Sequence, residues 1–199
     1  MRIYLIPAWF VVTALLVSCG GDKPKPESTN MVVVYHTIGE PEGLHPVNDN
    51  SGPRSEVNNL TQVFMVNTDV KNNQPLPYLA AAMPLVAEDG KTLTYTLRTD
   101  IKWDDGQPIT SEDVMFTFKA NKCPLANNPH SKPYLDNILD IQIDAADKNK
   151  MTFKMKDKYI QNVWMLTDFP IMQRTFYDMN NVLAKYTFKV YYEKMGSTR

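Results

Sequence analysis

The sequence predicts an α+β fold of antiparallel hairpins linked by short helices, and three observations carry that reading. Leu93, Tyr95 and Leu97 alternate with Thr94, Thr96 and Arg98, the period of a strand with one apolar face. Leu139, Ile141 and Ile143 alternate with Asp140, Gln142 and Asp144; Asp147-Lys148-Asn149 then turns the chain, and Met151, Phe153 and Met155 alternate on the way back. Between these runs, Thr110-Ser111-Glu112-Asp113 offers a hydroxyl cap with acids in the first helical turn, where the positive helix end favours them. Val114, Met115 and Phe118 follow as an apolar face at helical spacing. Hairpins and short helices sharing one core make the class α+β.

Taken in order, residues 1–18 read as an export signal: Arg2, then an almost wholly apolar stretch over 3–17, shorter than the ~20 residues that span a bilayer comfortably. Leu16-Val17-Ser18-Cys19 resembles a bacterial lipobox, in which a peptidase cuts before a cysteine whose thiol carries a diacylglycerol, so Cys19 is the expected lipidation site. Residues 19–30 continue as a Gly-, Pro-, Lys- and Ser-containing tether with nothing apolar to enter a core. Residues 31–35 are a short β-branched run expected to form a buried strand, and 38–52 a loop broken by Gly39, Pro41, Gly43, Pro46 and Gly52.

A helix is predicted from Ser55 as cap, with Val57, Leu60, Val63 and Phe64 on one side. Residues 78–83 read as a short helix stopped before Pro84, and residues 85–87 and 93–98 as a hairpin around Glu88-Asp89-Gly90. After Ile101-Lys102-Trp103, Asp105-Gly106 and Pro108 make a tight turn into the helix expected over 111–119. Residues 121–133 look irregular, and 162–167 a short helix.

Charge narrows the functional classes. There are 21 Lys and Arg against 22 Asp and Glu, a net charge of −1, and loss of the signal removes only Arg2 from the basic side. No basic excess would attract nucleic acid, and no polybasic patch would hold a membrane. With Cys19 lipidated, Cys123 is the other cysteine, so no intrachain disulfide is expected and Cys123 reads as a packed, inert thiol. Asp104, Asp105, Glu112 and Asp113 lie close enough for acid and base chemistry, but the last three have local duties at a turn and in a first helical turn. His36, His45 and His130 are too scattered for a metal motif, and no cofactor loop is present. The chain is therefore not expected to be an enzyme, and no metal or cofactor is expected.

The run from Leu97-Arg98 through Ile101-Lys102-Trp103, Asp105-Gly106, Pro108-Ile109-Thr110 and Asp113-Val114 resembles the signature of the family 5 extracellular solute-binding proteins, the peptide- and nickel-binding subunits of ABC importers. Pro77-Tyr78-Leu79-Ala80, Asp89-Gly90-Lys91-Thr92 and Phe169-Pro170-Ile171-Met172 are similar to further motifs of that family. Gly39-Glu40-Pro41 with Leu44-His45-Pro46 also matches, except that His45 stands where the family usually carries Asp. The resemblance implies part of a periplasmic-binding-protein-like type II lobe. Residues 31–56 would begin the main lobe, 57–168 form a smaller inserted lobe, and 169–199 return to the main lobe and stop early.

It also implies a lipid-anchored importer subunit, periplasmic or on the cell surface, that works as a monomer and passes a peptide to ABC permease and ATPase subunits. Backbone at Asn50, Ser51 and Gly52 would line the ligand cleft, with Tyr134 as an aromatic contact. Nickel, haem or oligosaccharide are alternative ligands, and a non-transport surface lipoprotein is an alternative role. Such proteins carry a second lobe, so the chain is expected to be the N-terminal portion of a longer lipoprotein.

Overall fold

In the computed structural model the described residues are 34–48, 51–126, 128–167 and 169–190. Contacts divide the chain into two units, Met1–His36 and Thr37–Arg199, and every helix and strand described belongs to the second. The expected signal and tether, Cys19, Asn50 and most of the expected strand over 31–35 lie outside the described residues; Val34 and Tyr35, its end, are not in a strand.

Along the chain the elements are α1 (Gly52–Thr61), β1 (Val66–Asp69), β2 (Gln74–Pro77), β3 (Leu85–Val86), β4 (Thr92–Thr96), α2 (Ser111–Asn121), α3 (Lys132–Asp136), β5 (Ile138–Ile143), β6 (Lys150–Met155) and α4 (Arg174–Tyr177). Short 3-10 turns cover Ile160–Asn162, Trp164–Thr167 and Leu183–Lys185. Strands β1 and β2 pair alone, while β3-β4-β6-β5 form a four-stranded sheet, antiparallel throughout.

The predicted alternations build the larger sheet. Leu93 pairs with Phe153 and Tyr95 with Met151, so each apolar position meets another across the strands. All four are at most 2% exposed. Helix α2 lies on this face, and its Phe118 ring sits 5.3 Å from Phe153 and 5.2 Å from Phe169, joining sheet, helix and the chain returning at 169.

Four local expectations need correction. Residues 78–83 are not a helix: Tyr78 and Ala80 donate to the Met65 carbonyl at 3.2 and 3.0 Å, and Ala81 donates to Thr96 at 2.8 Å. Leu79 and Ala80 are buried between these partners, so pairing with neighbours on both sides outweighs a weak helical propensity. Helix α1 starts at Gly52 with Ser51 as its cap, not at Ser55; the Ser51 hydroxyl accepts the Arg54 amide at 3.3 Å, and Pro53 suits the first turn. In β5 the register shifts between Ile138 and Asp140, so Ile138 and Ile141 face the core and Leu139, expected inside, is 41% exposed. The helix expected over 162–167 is replaced by the two 3-10 turns.

The motif turn behaves as its residues dictate. Gly106 has φ +83°, Gln107 donates to Asp105 Oδ1 at 2.9 Å, and Trp103 donates to the Gln107 carbonyl at 2.8 Å. Beyond it, Asp113 joins three pieces of chain. Its Oδ2 accepts the Thr110 amide at 2.8 Å and hydroxyl at 2.9 Å, and its Oδ1 accepts the Arg174 amide at 2.8 Å. One turn on, Thr117 Oγ1 accepts the Met172 amide at 2.8 Å, and Lys119 Nζ donates to the carbonyls of Leu183 and Tyr186.

Asp113→Ala strips acceptors from a helix start and from a distant backbone amide, so it should destabilise the fold by about 2–4 kcal/mol in urea denaturation; a change under ~1 kcal/mol would contradict this role. Lys122 donates to the carbonyls of Leu135 and Ile138 at 2.7 and 2.9 Å, and burial pushes its pKa down to about 8. Its unfolded value is higher, so the unfolded chain holds more protons between the two and stability should rise with pH through that window. Lys122→Met should lose that rise when denaturation midpoints are compared across it.

Candidate ligand-binding site

Two regions hold the expected ligand contacts. The first is the loop before α1. His45 Nδ1 accepts the amides of Val47 at 3.1 Å and Asn48 at 3.3 Å. An aspartate at that position would accept the same two amides through a carboxylate oxygen, closing an Asx-type turn. The departure from the resembled motif therefore preserves the hydrogen bonding while replacing an anion by a neutral ring. Arg54, on α1, donates to the Pro46 carbonyl at 3.1 Å and clamps the loop to the helix. The His45 ring meets Tyr177 edge-on at 5.5 Å, tying the loop to α4.

Ser51 and Gly52 occupy the cap and first position of α1. Nothing lies within 4 Å of where a Cβ would stand on Gly52, so this backbone is open to close approach.

The second region surrounds Tyr134, half exposed on α3. It borders a hollow of ≈ 340 Å³ together with Pro133, Tyr159, Asp157 and Met165. Sequence reasoning misses Tyr159, because it stands outside any periodic run. The hollow that Tyr134 borders includes neither Ser51 nor Gly52 among its lining residues.

Three of the four carboxylates weighed for acid and base chemistry, Asp105, Glu112 and Asp113, have structural partners. Asp105 accepts from the Gln107 amide and, at 2.7 Å, from the Gln173 side chain, and these bonds hold its carboxyl below the usual range. Glu112 pairs with Arg174 at 3.2 Å. Cys123 is half-buried against the cluster of Val47, Phe116, Ala126 and Met172, as a packed thiol would be. Among the described residues no group of three His, Cys, Asp or Glu could hold a metal ion.

Residues 74–196 match the family model described as bacterial extracellular solute-binding proteins, family 5 Middle. The chain belongs to this family. The solute-binding relatives include the Escherichia coli dipeptide-binding protein, 32% identical over 166 residues, which cover 77% of this chain and 30% of that protein. The Bacillus subtilis oligopeptide-binding protein OppA is 30% identical over 125 residues, 56% of this chain and 22% of that protein. The chain thus spans under a third of either relative.

Among solved structures, B. subtilis AppA in complex with a nonapeptide superposes with a TM-score of 0.63 at 18% identity, covering 75% of this chain and 29% of AppA. Campylobacter jejuni NikZ with Ni(L-His) gives 0.57 at 18% identity, covering 70% and 27%. These likenesses establish the family 5 fold, and that fold houses both peptide and chelated metal, so the ligand must be argued otherwise.

The loop at His45 is open to a direct test. Partial burial and the Arg54 guanidinium lower the His45 pKa below 6.5, which favours the neutral acceptor form in the folded state. Its contribution is complete above the unfolded value and is lost as pH falls through the folded one. His45→Asp should keep the loop and remove that dependence, read as a flatter stability profile between about pH 5 and 7. An unchanged slope would reject the acceptor role.

Proposed function

We propose that this chain supplies the N-terminal part of a peptide-binding subunit of an ABC importer. The observation that carries the reading is the family match over residues 74–196, joined to sequence relatives named for dipeptide and oligopeptide binding. Residues 31–56 would begin the main lobe, 57–168 form the inserted lobe and 169–199 return. The antiparallel bridge between Phe64 and Pro170, and the 2.7 Å bond from the Ile171 amide to the Val63 carbonyl, support adjacent outgoing and returning strands at that boundary.

The mechanism is conformational: two lobes close on the solute and deliver it to permease and ATPase partners. Backbone at Asn50, Ser51 and Gly52 would hold the peptide main chain, which carries no side-chain information, and Tyr134 would pack on it. Cys19 would carry the lipid that holds the exported monomer at the membrane. No step in this reading is catalytic, and none involves nucleic acid.

Photo-crosslinking with benzophenone-bearing peptides tests it on the 199-residue chain. Adducts are expected at residues 50–52 and 134, with affinity by titration weaker than about 1 µM, near −8 kcal/mol, because these residues form one part of a clamp. Adducts confined to other positions, or none, would overturn the reading.

A further inference from the structure

We propose that the hollow between α3 and the turn at Tyr159 is a subsite for a basic side chain of the peptide, arginine or lysine; this rests on the peptide-binding reading above. Its apolar lining comes from Pro133, Tyr134, Tyr159 and Met165. Its polar lining includes a closed hydrogen-bond network. Asn137 Nδ2 donates to Asn162 Oδ1 at 2.8 Å, Asn162 Nδ2 donates to the Asp157 carbonyl at 3.1 Å, and the Asp157 amide donates to Asn137 Oδ1 at 2.9 Å. These bonds fix the Asn137 and Asn162 side chains relative to Asp157.

Recognition falls to the walls and the rim. Asp136 and Asp157 both border the hollow, and neither carboxylate accepts a hydrogen bond among the described residues. Lys156 shares the lining, Lys158 stands between Asp157 and Tyr159 in the chain, and two further cations are turned to backbone: Lys91 Nζ donates to the Lys156 carbonyl at 3.0 Å, and Lys122, which acts on Asp136, donates to the carbonyls of Leu135 and Ile138. Among the lining residues themselves, two carboxylates stand against one ammonium. A basic side chain answers each surface: its methylenes pack along the tyrosine faces, its charge is attracted by the ring quadrupoles, and its donors reach the carboxylates. An acidic side chain would be repelled, and a neutral apolar one would leave the rim unanswered. At ≈ 340 Å³ the space suits one side chain rather than an extended peptide.

The test compares Nα-acetyl-arginine amide with Nα-acetyl-citrulline amide, of nearly equal shape but uncharged, by chemical-shift titration of the chain. Arginine should bind at least about fivefold tighter, the equivalent of ~1 kcal/mol, with shifts centred on residues 133–137 and 157–165. Asp157→Asn should erase the difference while leaving the citrulline response, and Tyr159→Ala should weaken both. Equal binding of the two probes, shifts mapping elsewhere, no response, or an arginine preference that survives Asp157→Asn would each overturn the proposal. Crosslinks at 50–52 and 134 with no charge preference here would sink the subsite alone; a charge preference here without those crosslinks would sink the peptide-cleft reading instead.

Discussion

The carboxylate of Asp113 is the constraint on which the described architecture turns. One oxygen fixes how α2 begins, through the amide and hydroxyl of Thr110, and the other fixes where the distant chain at Arg174 passes. A single charged group with two acceptors couples a local event, helix initiation, to a contact 61 residues away. Because α2 also covers the sheet through Val114 and Phe118, its placement sets the depth of the core and the path of the returning chain together.

From that anchor further hydrogen bonds join α2 to the returning chain. Asp113, Thr117 and Lys119 each bond main-chain atoms of the returning segment, so the segment is held largely by its backbone. Backbone pins tolerate side-chain variation in the partner, so the returning segment needs no motif of its own to match the one around 110–114. Lys119 does this while nearly buried, and burial lowers its pKa while the Asp178 carboxylate opposes the shift.

The sequence was readable wherever a local rule and the tertiary environment asked for the same thing. The alternations at Leu93 and Tyr95 and at Met151, Phe153 and Met155 became sheet, and the acids of the first helical turn became the Asp113 anchor. It was opaque where tertiary pairing overrode local preference, as at Leu79 and Ala80. The β1-β2 hairpin was hidden too: Val-Asn-Thr-Asp and Gln-Pro-Leu-Pro show no alternation, and the one hint was Asn72-Asn73, where Asn73 takes φ +53°. At Leu139 the period was right and the face wrong, because a bulge is invisible to a pattern of alternation. At the candidate site, motif resemblance pointed to Ser51, Gly52 and Tyr134, whereas Tyr159 and the carboxylates beside it needed the fold to bring them near.

The order β3-β4-β6-β5 sets a schedule for chain synthesis. Strand β4 ends at Thr96, yet its second neighbour is complete only at Met155, after α2, α3 and β5 have been made. Until then β4 has just the two-residue β3 beside it, and an apolar strand with an open edge invites pairing with other chains. Closing so distant a pair is slow, since the loop entropy is lost before the contacts form. A polypeptide built this way gains from being kept unfolded until its sixth strand has emerged.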